Sequence, residues 1–155
     1  MLTFLSHYRT AWNDYFSVNN PNNISSQTFT SRQASSNAYV SNCLFRSMTS
    51  ENDGGALYCS SSVTHLLVES TSFFSCKTSS NHGGAIYFNN ANSGQCVLNE
   101  VCGYDCFTTY SGYAEGQFVD TYVYNVASSK NYVNYSSITR CMNQISNSHG
   151  VLSLF

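Results

Sequence analysis

The sequence predicts an all-β chain folded as a right-handed parallel β-helix (solenoid) of about four coils. Three observations lead there: a phrase that recurs at long period, short strand-like runs between Ser, Asn and Gly, and an in/out alternation within those runs. The phrase is Asp53-Gly54-Gly55-Ala56-Leu57-Tyr58-Cys59, which returns as His82-Gly83-Gly84-Ala85-Ile86-Tyr87-Phe88, 29 residues on. Self-similarity at a period of about 20–50 residues marks units that bury their apolar faces only by stacking on one another. Runs rich in Val, Ile, Tyr, Phe and Thr favour strands, and a single proline, Pro21, leaves them uninterrupted.

In chain order, residues 1–27 read as an N-terminal lead or cap and 28–155 as the repeat domain. Met1 to Leu5 begins like a signal peptide, but His7, Arg9, Asn13 and Asp14 interrupt it before an apolar core forms. Within the repeat domain, Asn42 to Ser47 matches Thr71 to Cys76, then Val101 to Cys106, then Ser136 to Cys141 in degraded form. The glycine phrase decays likewise, through Glu115-Gly116-Gln117-Phe118-Val119 to His149-Gly150-Val151-Leu152. Each copy holds about three strands, such as Leu66–Val68, Phe73–Cys76 and Ala85–Phe88.

Alternation with period two then sorts the aligned copies into columns about 4.8 Å apart. One inward column reads Leu57, Ile86, Phe118, Leu152, with Tyr58, Tyr87, Val119 and Ser153 outward beside it. A second reads Phe45, Phe74, Tyr104, Thr139, followed by Ser47, Cys76, Cys106, Cys141. A third reads Tyr39, Val68, Leu98, Val133, and the polar residues Arg46, Ser75, Asp105 and Arg140 gather outside.

The Gly-Gly-Ala-Ile/Leu phrase, preceded by Asn42-Cys43-Leu44-Phe45 or Ser72-Phe73-Phe74-Ser75-Cys76, resembles the polymorphic outer membrane protein (Pmp) repeat. That repeat occurs in chlamydial surface autotransporters and in trichomonad surface-protein families. Val101 to Cys106, with Gly116-Gln117-Phe118 and Tyr132 to Ile138, is more similar to the trichomonad group. The resemblance covers residues 37 to 154, with strong motifs in the first two glycine phrases. The chlamydial Phe-x-x-Asn element is not kept: Met48 follows Phe45 at that spacing and Lys77 follows Phe74. The resemblance implies a right-handed parallel β-helix in a cell-surface or extracellular setting, with a host or cell-surface protein or a glycan as partner.

Composition narrows the function classes. Only 9% of the 155 residues are charged and the formal net charge is −2, so no basic footprint for a nucleic acid is present. An aromatic content of 15% argues against a disordered polar chain. No run approaches the roughly 18 apolar residues of a membrane span.

The seven cysteines are expected to be core filler, with Cys43, Cys59, Cys76, Cys96, Cys102, Cys106 and Cys141 all on inward positions. A spacing near 4.8 Å would also let Cys76 and Cys106 close a disulfide in an oxidising compartment. Cys102 and Cys106 lack the second pair and the histidine of a zinc site. His82 and His149, each before a glycine, are expected to be solvated turn residues rather than the acid or base of a sugar-cleaving enzyme. Such an enzyme needs converging carboxylates. Here Glu51 and Asp53 align with Ser80 and His82, Glu69 aligns with Asn99, and Asp105 falls between Ser75 and Arg140, with which it would pair.

The glycine pairs lack the Lys-Ser/Thr of a phosphate loop and serve tight corners instead. Asn23-Ile24-Ser25 and Asn134-Tyr135-Ser136 fit the N-glycosylation sequon. The expectation is a non-enzymatic structural or adhesive segment with no catalytic residue, cofactor or metal, continued by neighbouring coils of a longer chain. The rivals are a carbohydrate-active, pectin lyase-like enzyme on the same fold and a fragment of a larger surface protein.

Overall fold

A computed structural model describes residues 11–18, 21–25, 28–29, 32–34, 36–124, 126–143 and 147–154. The chain is all-β, and every strand pairing among these residues is parallel. Sheet A contains Asn22–Ser25, Ala38–Ser41, His65–Glu69, Gln95–Asn99 and Asn131–Asn134, in that order. Its first strand thus lies within the segment expected to be a lead. Sheet B contains Thr28–Phe29, Leu44–Arg46, Ser72–Phe74, Cys102–Tyr104 and Ser137–Thr139. Sheet C contains Arg32–Ala34, Leu57–Cys59, Ile86–Asn90, Val119–Val123 and Leu152–Leu154. Sheet D holds Thr49–Ser50, Lys77–Thr78 and Phe107–Thr108, and sheet E pairs Tyr113–Glu115 with Asn147–His149. Successive copies of the sequence phrase therefore occupy neighbouring strands of each sheet.

Two kinds of bend connect the sheets without breaking the hydrogen-bond ladder. Between A and B the chain turns at Asn42, Ser70, Glu100 and Tyr135; between B and D it turns at Ser47, Ser75 and Asp105, with Arg140 in the same place one copy later. All eight have φ between 46° and 56°, the left-handed region that polar residues enter most readily. Ser70 N–H still donates to Asn99 O at 3.0 Å and Ser75 N–H to Tyr104 O at 2.9 Å, so the bends are stitched across strands. The second connection, into sheet C, turns at Gly54, Gly83 and Gly116, all at positive φ. Gly84 follows one of them, and a Cβ there would lie 2.2 Å from Gln117 O. Only glycine lets the strands approach this closely.

The left-handed bends shift the in/out phase, and several expected columns move by one residue as a result. In sheet C the column is Leu57, Ile86, Val119, Leu152, with Val119 in place of Phe118, because the strand begins three residues after the corner glycine. Leu152 is 36% exposed rather than buried. In sheet B the inward column is Phe45, Phe73, Gly103, Ile138, whereas Phe74 is 43% exposed and stacks on Tyr104 outside. Thr139 shares that outer row with Arg46. Ser47 is exposed, and Met48 heads the buried column of Cys76, Cys106 and Cys141. In sheet A the column runs from Ile24 through Val40, not Tyr39, to Val68, Leu98 and Val133.

The core compensates internally for these irregular columns. Phe45 and Phe73 stack with centroids 4.7 Å apart, and the next place in the column is Gly103. Phe118 fills the vacated volume: a Cβ on Gly103 would come within 2.6 Å of its ring, which meets Phe73 edge-on. Close packing of this kind leaves no slack for an added methyl. Cys102 is the one exposed cysteine, since Gly103 takes the inward place beside it. All seven thiols are free, and burial pushes Cys96 up to about 12.

The outer face of sheet A is unexpectedly apolar. Tyr39, Leu67, Val97 and Tyr132 line it, and the short helix α1, Ala11–Tyr15, covers it with Trp12 and, just beyond, Phe16. Both aromatic side chains are 3% exposed.

Candidate functional site

The corner between sheets E and C gathers more chemistry than any other part of the described chain. The residues preceding the corner glycines form one column: Asp53 beside His82, His82 beside Glu115, Glu115 beside His149. Five residues after each of the first three stands an outward residue of sheet C, giving Tyr58, Tyr87 and Asp120. The positive-φ glycine folds the first column over the second. His82, which precedes the bend, therefore reaches Asp120 on the neighbouring strand.

His82 Nδ1 donates to Asp120 Oδ2 at 2.7 Å and lies 3.9 Å from Glu115 Oε2. Asp120 is only 4% exposed, while the His82 and Glu115 side chains are half-buried. Burial pushes the Asp120 carboxyl above the usual carboxylate range, and Ser153 and His82 beside it pull the other way. The expectation that no carboxylates converge, and that His82 is a solvated turn residue, is thus overturned. The expected column, with Val119 next to Tyr87, hides Asp120, which the register places there.

Alongside lies a groove of about 610 Å³ lined by Gln33, Asn52, Asp53, Gly54, Tyr58 and Ser80, among others. Ser80 Oγ donates to Asp53 Oδ1, fixing the acid at its rim. Tyr58 and Tyr87 stack at 5.7 Å and 22°, and His82 lies 5.7 Å from the Tyr87 ring. Two aromatic faces in register beside amide and carboxyl groups offer a platform with polar edges.

No family model, curated protein or solved structure matches the chain, so the site rests on its own geometry.

Other residues singled out in the sequence do not join this corner. Glu69 is paired in register with Asn99, as expected, and accepts from Tyr39 Oη at 2.6 Å. Burial first, and Glu69 second, raise the Tyr39 phenol. Asp105 accepts from Ser75 Oγ at 3.1 Å but pairs with Lys77 at 3.5 Å rather than with Arg140, which lies over the Tyr104 ring. Lys77 also sits 4.4 Å above Phe107, and this second attraction holds it near Asp105. Glu51 is exposed beside Lys77 at a second, smaller groove. Cys102 and Cys106 are separated by the left-handed bend at Asp105, one exposed and the other buried. Asn23 is exposed on sheet A, and Asn134 ends its last strand. The His149 backbone pairs with Glu115.

One histidine escaped the sequence reading. His65 opens its strand in sheet A beneath α1, with Phe16 edge-on at 4.8 Å and Thr64 Oγ1 2.8 Å from its Nδ1. Nothing in its local sequence signals this burial, which comes from a helix more than 45 residues away.

Proposed function

We propose that this chain is a right-handed parallel β-helix of about four coils acting as a non-enzymatic, Pmp-like surface or secreted segment, structural or adhesive in role. The observation that carries the reading is the Tyr58–Tyr87 platform beside its polar groove. Aromatic faces flanked by Asn, Gln and Asp suit a glycan, whose C–H faces stack while its hydroxyls hydrogen-bond. Polar ladders along the bends support it too: Ser70 Oγ donates to Glu100 Oε2 at 2.8 Å across strands, so the outer surface is pre-ordered. The cell-surface or extracellular location rests on the repeat resemblance. Among the described residues no helix is long and apolar enough to cross a membrane.

The carbohydrate-active alternative gains one specific observation, the approach of His82, Asp120 and Glu115. An imidazole oriented by a buried carboxylate is a competent general base, and Glu115 would stand by as acid. One experiment separates the readings. The purified chain is incubated with pectins, other uronates and neutral glycans, with and without calcium, while retention, reducing ends and unsaturated products are followed. Saturable retention without turnover, lost in Tyr58→Ala, is the expected outcome. Turnover abolished by His82→Ala would replace the adhesive reading with the enzymatic one.

A further inference from the structure

We propose that His82, Glu115 and Asp120 bind one divalent first-row transition ion, of the zinc or cobalt class. The site does not depend on whether the neighbouring groove binds a glycan. Their ligand atoms, one imidazole nitrogen and two carboxylate oxygens, all lie within 4.8 Å of one another. Ligand atoms about 2.0–2.2 Å from a tetrahedral ion stand about 3.4 Å apart, so the widest separation in the site would close by up to about 1.4 Å on binding. The Glu115 side chain, 30% exposed, would supply that movement by giving up its hydrogen bond with the Tyr113 phenol. Ion binding would replace the 2.7 Å hydrogen bond between His82 Nδ1 and Asp120 Oδ2: the imidazole proton shifts to Nε2, Nδ1 turns its lone pair to the ion, and the two atoms move to about 3.4 Å apart. Two carboxylates and an imidazole favour zinc, cobalt, nickel or manganese over calcium, which prefers an all-oxygen cage of six or more ligands.

An independent observation points the same way. Ser153 pairs in register with Asp120 and is 6% exposed, and its Oγ is buried without a hydrogen-bond partner of good geometry. A buried hydroxyl with unused capacity beside a ligating carboxylate is what an outer partner of a metal ligand provides: it orients the carboxylate or receives a metal-bound water. The strands also explain why the ligands would be held in place. His82 and Glu115 are joined by a backbone bridge, and Asp120 lies on a five-residue strand of sheet C. A bound ion would therefore link two consecutive copies of the repeat.

The test is a cobalt(II) titration of the whole chain followed by visible absorption, with metal content measured after dialysis and melting followed with zinc or calcium. The expected result is one ion per chain, a d–d spectrum without a thiolate charge-transfer band, and a rise in melting temperature with zinc but not calcium. Glu115→Gln, on the half-buried side of the site, should keep the fold and weaken binding by roughly tenfold or more, and His82→Ala should abolish it. Failure to saturate, a thiolate band showing that the cysteines hold the ion, or unchanged affinity in both variants would overturn the proposal.

Discussion

Ile86 and Tyr87 are neighbours in sequence with opposite fates. Ile86 is fully buried between Leu57 and Val119, while Tyr87 is half-buried on the outer face against Tyr58. An aspartate at 86 would place an unpaired charge among apolar side chains, whereas at 87 water remains within reach. Ile86→Asp is therefore expected to cost about 3 kcal/mol or more and Tyr87→Asp about 1 kcal/mol or less in urea melts. Equal losses would refute the in/out assignment. Both residues were legible because the first two glycine phrases agree at every backbone-determining position. Asp120 was not, since Gly116-Gln117-Phe118 replaces Gly-Gly-Ala and invites an alignment one residue short. Counting from the positive-φ glycine, as the backbone does, puts Asp120 next to Tyr87 and reveals the partner of His82.

The helix α1 shows what periodicity could not supply. Sheet A reads as half-buried from its alternation, yet both faces are apolar: Val68 and Leu98 point inward while Leu67 and Val97 meet Trp12 and Phe16. Continuous apolar runs are the signature of strands covered on both sides, and here the cover is a segment of only five helical residues. Trp12 Nε1 donates to Val18 O at 2.7 Å, which ties the end of this cover to its own chain. His65 lies beneath it, and burial lowers its pKa below the ordinary 6.5. The unfolded chain then binds more protons than the folded one between the two values. Stability is full above about 6.5 and falls as pH drops toward the lowered folded-state pKa. Melting followed by the fluorescence of Trp12, the only tryptophan, should show this decline between pH 7 and 5. His65→Gln should flatten it; an unaltered slope in that variant would assign the effect elsewhere.

Across the molecule, differences in length are unevenly distributed. From sheet A to B the connection is two residues in all four aligned copies, and from B to D it is two in all three. The links into and out of sheet C vary, which is where Tyr110, Tyr124 and Val126 are exposed. The repeat was legible in the sequence because glycine and cysteine mark its constant parts. Its variable links blurred the third and fourth copies, because added residues there leave the strands themselves unchanged.

The constant two-residue bends act as the molecule's reading frame. Each left-handed residue turns the chain and shifts the inward positions by one, from Leu66 and Val68 to Thr71 and Phe73 and then to Cys76 and Thr78, so that the next strand starts with its apolar side chains facing in. Deleting Glu100 would therefore act like a frameshift: each side chain of Cys102–Tyr104 would exchange faces, and Gly103 could no longer admit the Phe118 ring. Removing the exposed residues 126–128 changes no parity within a bend and should be borne far better. Loss of cooperative melting in the one-residue deletion and its retention in the three-residue deletion is the expected contrast. Such a chain tolerates a lost loop more readily than a lost letter.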